Sequence, residues 1–348
     1  MRIGLLTTSF PRGVGDYAGS FVGDRVQQLL ADGHTVDVIA AGDGSIAQEL
    51  GHDRLSVTRI DPLSGTDLFY DAGAPEALER GGAAVWLAAA RFTAMLAGAA
   101  RARANGFDLV ESHWLVPSAL AALAAGPTHR QRAFAHSGDV ALLERIPFGR
   151  TIARRLARAG VAIHFVSDAL QARFAALAGA RVGVVAPMVP CAAEWAPRAG
   201  VDVVGRRALG LARPTVLAVG RLVPIKGHDR LLRACARVQT EIGAGRDALE
   251  VVILGDGPER ARLGGLAAQL GVRLRLPGFV SRVDVQRWLR AADVFVQPSI
   301  QLANGRSEGA PFATAEARAV GIPVLVAGDV SRLAEGLARR IHATAAGV

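Results

Sequence analysis

Lysine is almost absent from this chain. Of its 40 Lys and Arg residues only Lys226 is a lysine, so the net charge of +9 is carried by arginine. Cysteine is nearly as scarce: Cys191 and Cys235 form neither a zinc cluster nor a disulfide framework, and they suit a reducing compartment. Aromatic residues make up 5% of the chain, which argues against a nucleic-acid surface, where basic runs interleave with stacking rings. Long uncharged runs are missing too. The longest apolar stretch, 83–100, contains Arg91 and is flanked by Arg80 and Arg101, so it reads as a buried or amphipathic helix, because a membrane span needs about 20 nearly uncharged residues. The N-terminal MRIGLLTTSF enters a strand directly, without the apolar region and cleavage site of a signal peptide. A cytoplasmic protein is expected.

What is present points to an enzyme-sized α/β chain. Its 348 residues suit two domains at roughly 100–200 residues each. Short apolar strands (3–8, 35–40, 108–112, 132–135, 161–166) alternate with helical stretches (20–32, 83–104, 117–125), and a second series of strands follows (215–219, 250–254, 273–276, 294–297, 323–326). That alternation predicts two doubly wound parallel sheets facing a cleft. Residues 186–214 are rich in Pro, Gly and Arg without a strong period and read as the hinge region. The expected division is 1–190, a linker at 191–213, and 214–348. Residues 145–158 combine arginines with Phe148, Ile152 and Leu156 at helical spacing. They suit either an anionic lipid surface or a solvated arginine face.

Polar residues cluster just past the strand ends, where such sheets bind ligands. After the first strand, 9–19 is a loop with Gly13, Gly15 and Gly19 ahead of a helix. Its glycine spacing departs from the dinucleotide fingerprint, and no acidic residue closes the following strand, so an NAD-dependent oxidoreductase is disfavoured. A loop whose backbone approaches a phosphate or sugar fits better. Other strands end in His113-Trp114 and in His136-Ser137-Gly138-Asp139. These residues suit a site, or the plain roles of packing a strand end and, for Asp139, capping a helix from Val140.

In the second half, 220–227 (GRLVPIKG) holds the one lysine, where a compact ammonium beside a phosphate would explain an exception to the arginine bias. From Pro298 to Val326 a loop carries Glu308, and a helix beginning near Pro311 carries Glu316. Helix-start N–H groups attract an anion such as a diphosphate, and an acceptor-only carboxylate suits a vicinal diol such as ribose. The same residues also fit a capped amphipathic helix with two solvated glutamates.

Four motifs in order, GRLVPIKG (220–227), VVILGDGPER (251–260), LPGFVSRVDVQRWLRAADVFVQPS (276–299) and EGAPFATAEARAVGIPV (308–324), resemble the donor-binding half of the retaining glycosyltransferases of family 4. The loop at 9–19, Gly33-His34, His113-Trp114 and 136–139 are similar to that family's acceptor side, so the resemblance covers about 1–326. It implies the GT-B fold, with Arg221 and Lys226 gripping the donor diphosphate after Gly220, Glu308 at the donor-sugar hydroxyls and Glu316 at the ribose. It further implies that the main chain of Gly309, Ala310, Pro311 and Phe312 faces sugar and phosphate. The segment Gly278 to Val280 would meet the base, the loop at Gly13 and Gly15 the diphosphate, and His136 the reacting sugar.

No cofactor is expected, since the nucleotide-diphosphate sugar is a substrate, and no metal, because Arg and Lys offset the leaving charge and no Asp-x-Asp occurs anywhere. The expected partners are that donor, a glycan or lipid-linked acceptor of envelope lipid, capsule or exopolysaccharide assembly, and an anionic membrane surface. Acceptor contacts are expected from 9–19 and 61–80. The alternative is a truncated, non-catalytic homologue that binds nucleotide or a partner protein, because after Val326 the chain departs from the family's pattern. The second domain is thus expected to lack its last strand and closing helix, with Leu333-Ala334-Glu335-Gly336 as the remnant of a glycine-rich loop.

Overall fold

The computed structural model describes residues 1–346 other than 14–15, 17, 43–51, 62–68, 70–81, 128–129, 191–194, 242–248, 304 and 306. Gly15 and most of 61–80 therefore lie outside the described residues. Two compact units result, Met1–Cys191 and Ala192–Val348.

The first unit runs β1 (Arg2–Leu6), α1 (Ser20–Ala31), β2 (Thr35–Ala41), β3 (Leu55–Ile60), α2 (Ala83–Arg103), β4 (Leu109–His113), β5 (Gln131–Ala135), α3 (Gly138–Arg145), α4 (Gly149–Arg158), β6 (Ala162–Phe165), α5 (Asp168–Ala178) and β7 (Val184–Val185). Its strands form one seven-stranded sheet in the order β3-β2-β1-β4-β5-β6-β7, paired in parallel. Strands covered on both faces read as unbroken apolar runs, as Ile3 to Leu6 of β1 does, because no face is left for polar residues. The mixed strand β3 (LSVTRI) lies at the sheet edge, half-exposed, and its polarity hides it from sequence patterning. Where one helix is expected over 117–125, the chain instead makes two short helical stretches, Leu115–Ala119, kinked at Val116, and Leu120–Ala122.

By length and composition the helical run 83–106 would pass for a membrane span. Its stripe Ala88, Phe92, Leu96 and Ala100 is fully buried in the core beneath β2 and β4, so the helix is a packed element of this unit. In α4 the expected apolar face is also buried: Leu156 and Ala153 are in the core and Ile152 packs against it. Only Phe148, at the helix start, is exposed beside Arg150, Arg154, Arg155 and Arg158.

The second unit comprises α6 (Val203–Ala208), β8 (Thr215–Val219), α7 (His228–Glu241), β9 (Glu250–Leu254), α8 (Arg260–Leu270), β10 (Arg273–Gly278), α9 (Arg282–Ala291), β11 (Val294–Gln297), α10 (Phe312–Val320), β12 (Val324–Val326) and α11 (Val330–Ala346). Its described strands form a five-stranded parallel sheet ordered β10-β9-β8-β11-β12. Alternate strand residues serve opposite faces. Val216, Ala218, Val251 and Ile253 pack with Leu231, Cys235 and Val238 of α7, while Leu217, Val252 and Phe295 pack with Leu289, Ala317 and Trp195.

Two expectations change here. Leu333, Ala334, Glu335 and Gly336 are not a loop remnant: they lie within α11, whose Leu333, Ala334 and Leu337 are buried against α7. The hinge region is also partly packed on the second unit. Trp195 is 1% exposed in its core, and Arg198 donates to the carbonyls of Arg290 and Ala292, both at 2.8 Å, at the end of α9, where a cation suits the helix dipole.

In both sheets the strand order reverses between adjacent strands, β1 and β4 in the first and β8 and β11 in the second. Ligands of doubly wound sheets bind beyond the carboxyl ends of the strands at such a switch point.

Candidate active site

The loops after β8 and β11 leave the second sheet at its switch point. They are stitched together by Ile300 N–H donating to the Ile225 carbonyl at 2.9 Å. A 3-10 turn, Pro224–Lys226, ends on Gly227 in the left-handed region (φ 65°), where a Cβ would stand 2.1 Å from the Pro298 carbonyl oxygen. Only glycine lets the loops meet this closely. Gly220 has an equally local reason: a Cβ there would lie 3.0 Å from Lys226 Cε, so its absence makes room for the lysine to lie across the strand end.

This brings Lys226 and Glu308 together. Lys226 Nζ donates to Glu308 Oε1 at 2.5 Å, with both side chains mostly buried. Glu308 Oε2 accepts from Gln297 Nε2 at 3.2 Å and from the Ser299 hydroxyl. Gln297 also donates to Ser299 Oγ at 2.6 Å, so the carboxylate is held from two sides. Neither Gln297 nor Ser299 stands out in sequence, since a Gln closing an apolar strand carries no motif. Arg221 is half-buried on the same loop, directly after Gly220.

Behind Lys226, His228 at the start of α7 is 1% exposed. Burial, and next the Lys226 charge, push its pKa down to about 3, while the main chain of Arg221 and Gly220 draws it part of the way back. Neither ring nitrogen reaches hydrogen-bonding geometry. His228 is therefore neutral and adds no charge beside Lys226.

Glu316 is 7% exposed on α10. Its Oε1 faces Arg282 Nη2 at 3.7 Å, and the Arg282 guanidinium lies over the Trp195 ring at 5.2 Å. The two glutamates are thus paired and enclosed, not the solvated pair of a surface helix. Pro311 is the residue before the helix (φ −61°, ψ 120°) rather than part of its first turn, so α10 opens at Phe312. In the stretch expected at a base, Val280 packs its side chain on the Trp195 core, and the Gly278 carbonyl accepts from Gly255 N–H at 2.8 Å.

The first unit gathers a second cluster at the ends of β4 and β5. Glu111 is fully buried on β4. Arg25 of α1 donates to it twice, Nε to Oε1 at 2.8 Å and Nη2 to Oε2 at 3.0 Å. Burial raises the Glu111 pKa, but His113 and Arg25, which both face its oxygens, outweigh it and bring the carboxyl to about 2. His113, wholly buried, stacks on Phe134 (ring centroids 5.0 Å apart) and on His136 (5.3 Å). Burial first, and next the neighbouring His113 ring, hold His136 well below its ordinary pKa.

Asp139 is not the cap of a helix from Val140: it lies within the first turn of α3, which opens at Gly138 without a side-chain cap. Its carboxylate accepts the N–H groups of Leu115 (2.7 Å), His136 (3.2 Å) and Val140 (2.8 Å), tying the two strand ends together. Burial nonetheless raises its pKa to about 6 against those three donors. Gly13 lies in the loop after β1, where its carbonyl accepts from Asp16 N–H at 3.2 Å and Asp16 pairs with Arg12 Nε at 2.7 Å. Arg25 and Glu111 are absent from any reading of the sequence, although a lone acid inside an apolar strand is itself a signal of a buried pair.

The folds of the two units define the class. The chain superposes on sucrose-phosphate synthase from Thermosynechococcus elongatus with a TM-score of 0.69 at 19% identity, over 99% of this chain and 90% of that one. Both units have the Rossmann-like α/β form of GT-B proteins. Within it, residues 206–338 of the second unit match the family model "Glycosyl transferases group 1". The chain is 37% identical over 134 residues to the putative colanic acid biosynthesis glycosyltransferase WcaL of Escherichia coli (strain K12), covering 38% of this chain and 31% of that protein. It is 32% identical over 186 residues to the GDP-mannose-dependent alpha-(1-6)-phosphatidylinositol monomannoside mannosyltransferase of Mycobacterium tuberculosis, covering 52% of this chain and 47% of that protein. The matched regions thus span about a third to a half of these relatives' own lengths.

Proposed function

We propose that this protein is a retaining, metal-independent glycosyltransferase of family 4, moving a sugar from a nucleoside-diphosphate donor to an acceptor in envelope lipid, capsule or exopolysaccharide assembly. The observation that carries this reading is the Lys226–Glu308 pair at the switch point of the second sheet, inside the region matched by the family model. The named relatives, acting in polysaccharide and glycolipid assembly, support the acceptor class.

In this reading Lys226 and Arg221 neutralise the diphosphate as the bond from the anomeric carbon to its oxygen breaks and the electron pair leaves with the phosphate. The acceptor hydroxyl oxygen bonds to the same face of that carbon, and its proton passes to the departing phosphate oxygen. Glu308 accepts from donor-sugar hydroxyls, Glu316 holds the ribose diol, and the main chain of Gly309 to Phe312 faces sugar and phosphate. The main chain from Gly278 to Val280 meets the base, the loop at Gly13 and Gly15 approaches the diphosphate, and His136 meets the transferred sugar.

A thermal-shift panel of UDP-, GDP- and ADP-sugars, followed by transfer assays on those that bind, tests the reading. At least one donor is expected to stabilise the protein and turn over. Glu316→Ala is expected to weaken that binding about 10–100-fold, the scale of lost hydrogen bonds to a charged group. Binding without turnover would select the non-catalytic alternative, and no binding at all would overturn the glycosyltransferase reading.

We also propose a cytoplasmic protein that touches an anionic membrane face through the exposed arginines of α4. Each arginine near such a surface contributes about 1 kcal/mol. Cosedimentation with phosphatidylglycerol vesicles is expected at low salt, and is expected to be lost in R150E/R154E/R155E and at high salt. Equal binding to neutral phosphatidylcholine vesicles would refute it.

A further inference from the structure

The first unit's cluster has a direction built into its hydrogens. Glu111 is a fully buried carboxylate, held ionised by Arg25, and a carboxylate only accepts. His113 Nε2 faces Glu111 Oε1 at 3.5 Å, so that nitrogen carries the ring hydrogen, since a bare nitrogen there would oppose lone pairs to a negative charge. Arg25 already offsets the Glu111 charge, so the His113 ring needs no second proton there, and its other nitrogen is bare. That nitrogen, His113 Nδ1, lies 3.2 Å from His136 Nε2 and accepts its hydrogen. His136 is left protonated on Nε2 and bare on Nδ1.

From this we infer that Glu111 and Arg25 are positioning residues which, through His113, set the tautomer of His136 and make its Nδ1 a hydrogen-bond acceptor for a ligand hydroxyl. The inference rests on the reading that His136 meets the transferred sugar, whose hydroxyls are donors. The packing supports a fixed ring. Phe21 and Trp114 each lie 4.8 Å from the His136 ring centre, and the residues flanking the pair, Trp114 (φ 79°) and Ser137 (φ 68°), hold left-handed backbone that side chains rarely adopt. His136 also stays neutral, as a one-donor, one-acceptor ring requires.

The experiment is two-dimensional nitrogen–proton correlation of the imidazoles in the full-length chain, read beside sugar transfer. Wild-type His136 and His113 are both expected as Nε2-protonated tautomers. In Glu111→Gln the carboxamide N–H₂ faces His113 instead, and both rings are expected to shift towards the Nδ1-protonated form. Should that variant fail to fold, His113→Phe keeps the stacked ring but removes the acceptor, and His136 is expected to lose its preference. Transfer by Glu111→Gln is expected to fall at least about tenfold with nucleotide affinity unchanged, and to fall no further when Glu111→Gln is added to His136→Ala, since coupled residues are not additive. An Nδ1-protonated His136 in wild type, or imidazole signals unmoved by both variants, overturns the inference. If the tautomers follow expectation while no donor is turned over, the assignment stands and the glycosyltransferase reading falls.

Discussion

Replacing Lys226 with alanine is expected to lower sugar transfer by about 10²–10³-fold, the cost of removing one preorganised group from a site of developing charge. Two effects combine. The ammonium that would meet the diphosphate is gone, and Glu308, now held only by Ser299 and Gln297, presents an uncompensated charge to an anionic ligand. Folding is expected to suffer as well, by about 1–2 kcal/mol, because the stranded carboxylate is mostly but not wholly buried. A double variant separates the two. If Glu308 repels the donor once Lys226 is lost, Lys226→Ala/Glu308→Ala binds UDP or GDP more tightly than Lys226→Ala alone. Equal or weaker binding by the double variant would mean that the pair is only structural. Lys226→Arg is expected to recover little, since the longer planar guanidinium does not fit the space that Gly220 leaves for a lysine stem.

His228 is expected to make the second unit acid-sensitive well before its carboxylates protonate. Its folded pKa, about 3, lies below the ordinary 6.5, so as pH falls the unfolded chain takes up this proton first. The stability it contributes is complete above pH 6.5 and disappears as pH drops to about 3, a loss of about 5 kcal/mol at 1.36 kcal/mol per pKa unit. Trp195 and Trp288 are both buried in this unit's core and report its unfolding by fluorescence. Urea midpoints taken between pH 7 and pH 4 should fall steeply in the native protein and much less in His228→Phe. Parallel slopes in the two proteins would show that His228 is not the cause.

The elements most legible in the sequence were those buried on both sides. The strands Thr215–Val219, Glu250–Leu254 and Val294–Gln297 lie where their apolar runs place them, because a central parallel strand has no solvent face to interrupt the pattern. The edge strands of the first sheet were not legible: Leu55–Ile60 mixes polar and apolar residues, and Val184–Val185 is too short for any period. The stretch around Trp195 looked like a hinge because Pro, Gly and Arg dominate it. What anchors it is one aromatic ring and one arginine finding carbonyls at the end of a distant helix, and neither leaves a local pattern.

The candidate site divides the same way. Its loop positions, the unique lysine and the two glutamates were readable in order along the chain, because turn-forming glycines and strand ends are local features. The partners were not. Lys226 meets Glu308 because β8 lies beside β11, Glu316 faces Arg282 because α9 packs beside α10, and Glu111 is ionised because Arg25 reaches it from α1. By itself the sequence determined two doubly wound sheets and which loops lie at their strand ends, since periodicity and turn chemistry act over a few residues. Only the tertiary structure decided which charges neutralise one another and which imidazole nitrogen is bare, since those depend on strand order and burial, which bring together residues far apart in the chain.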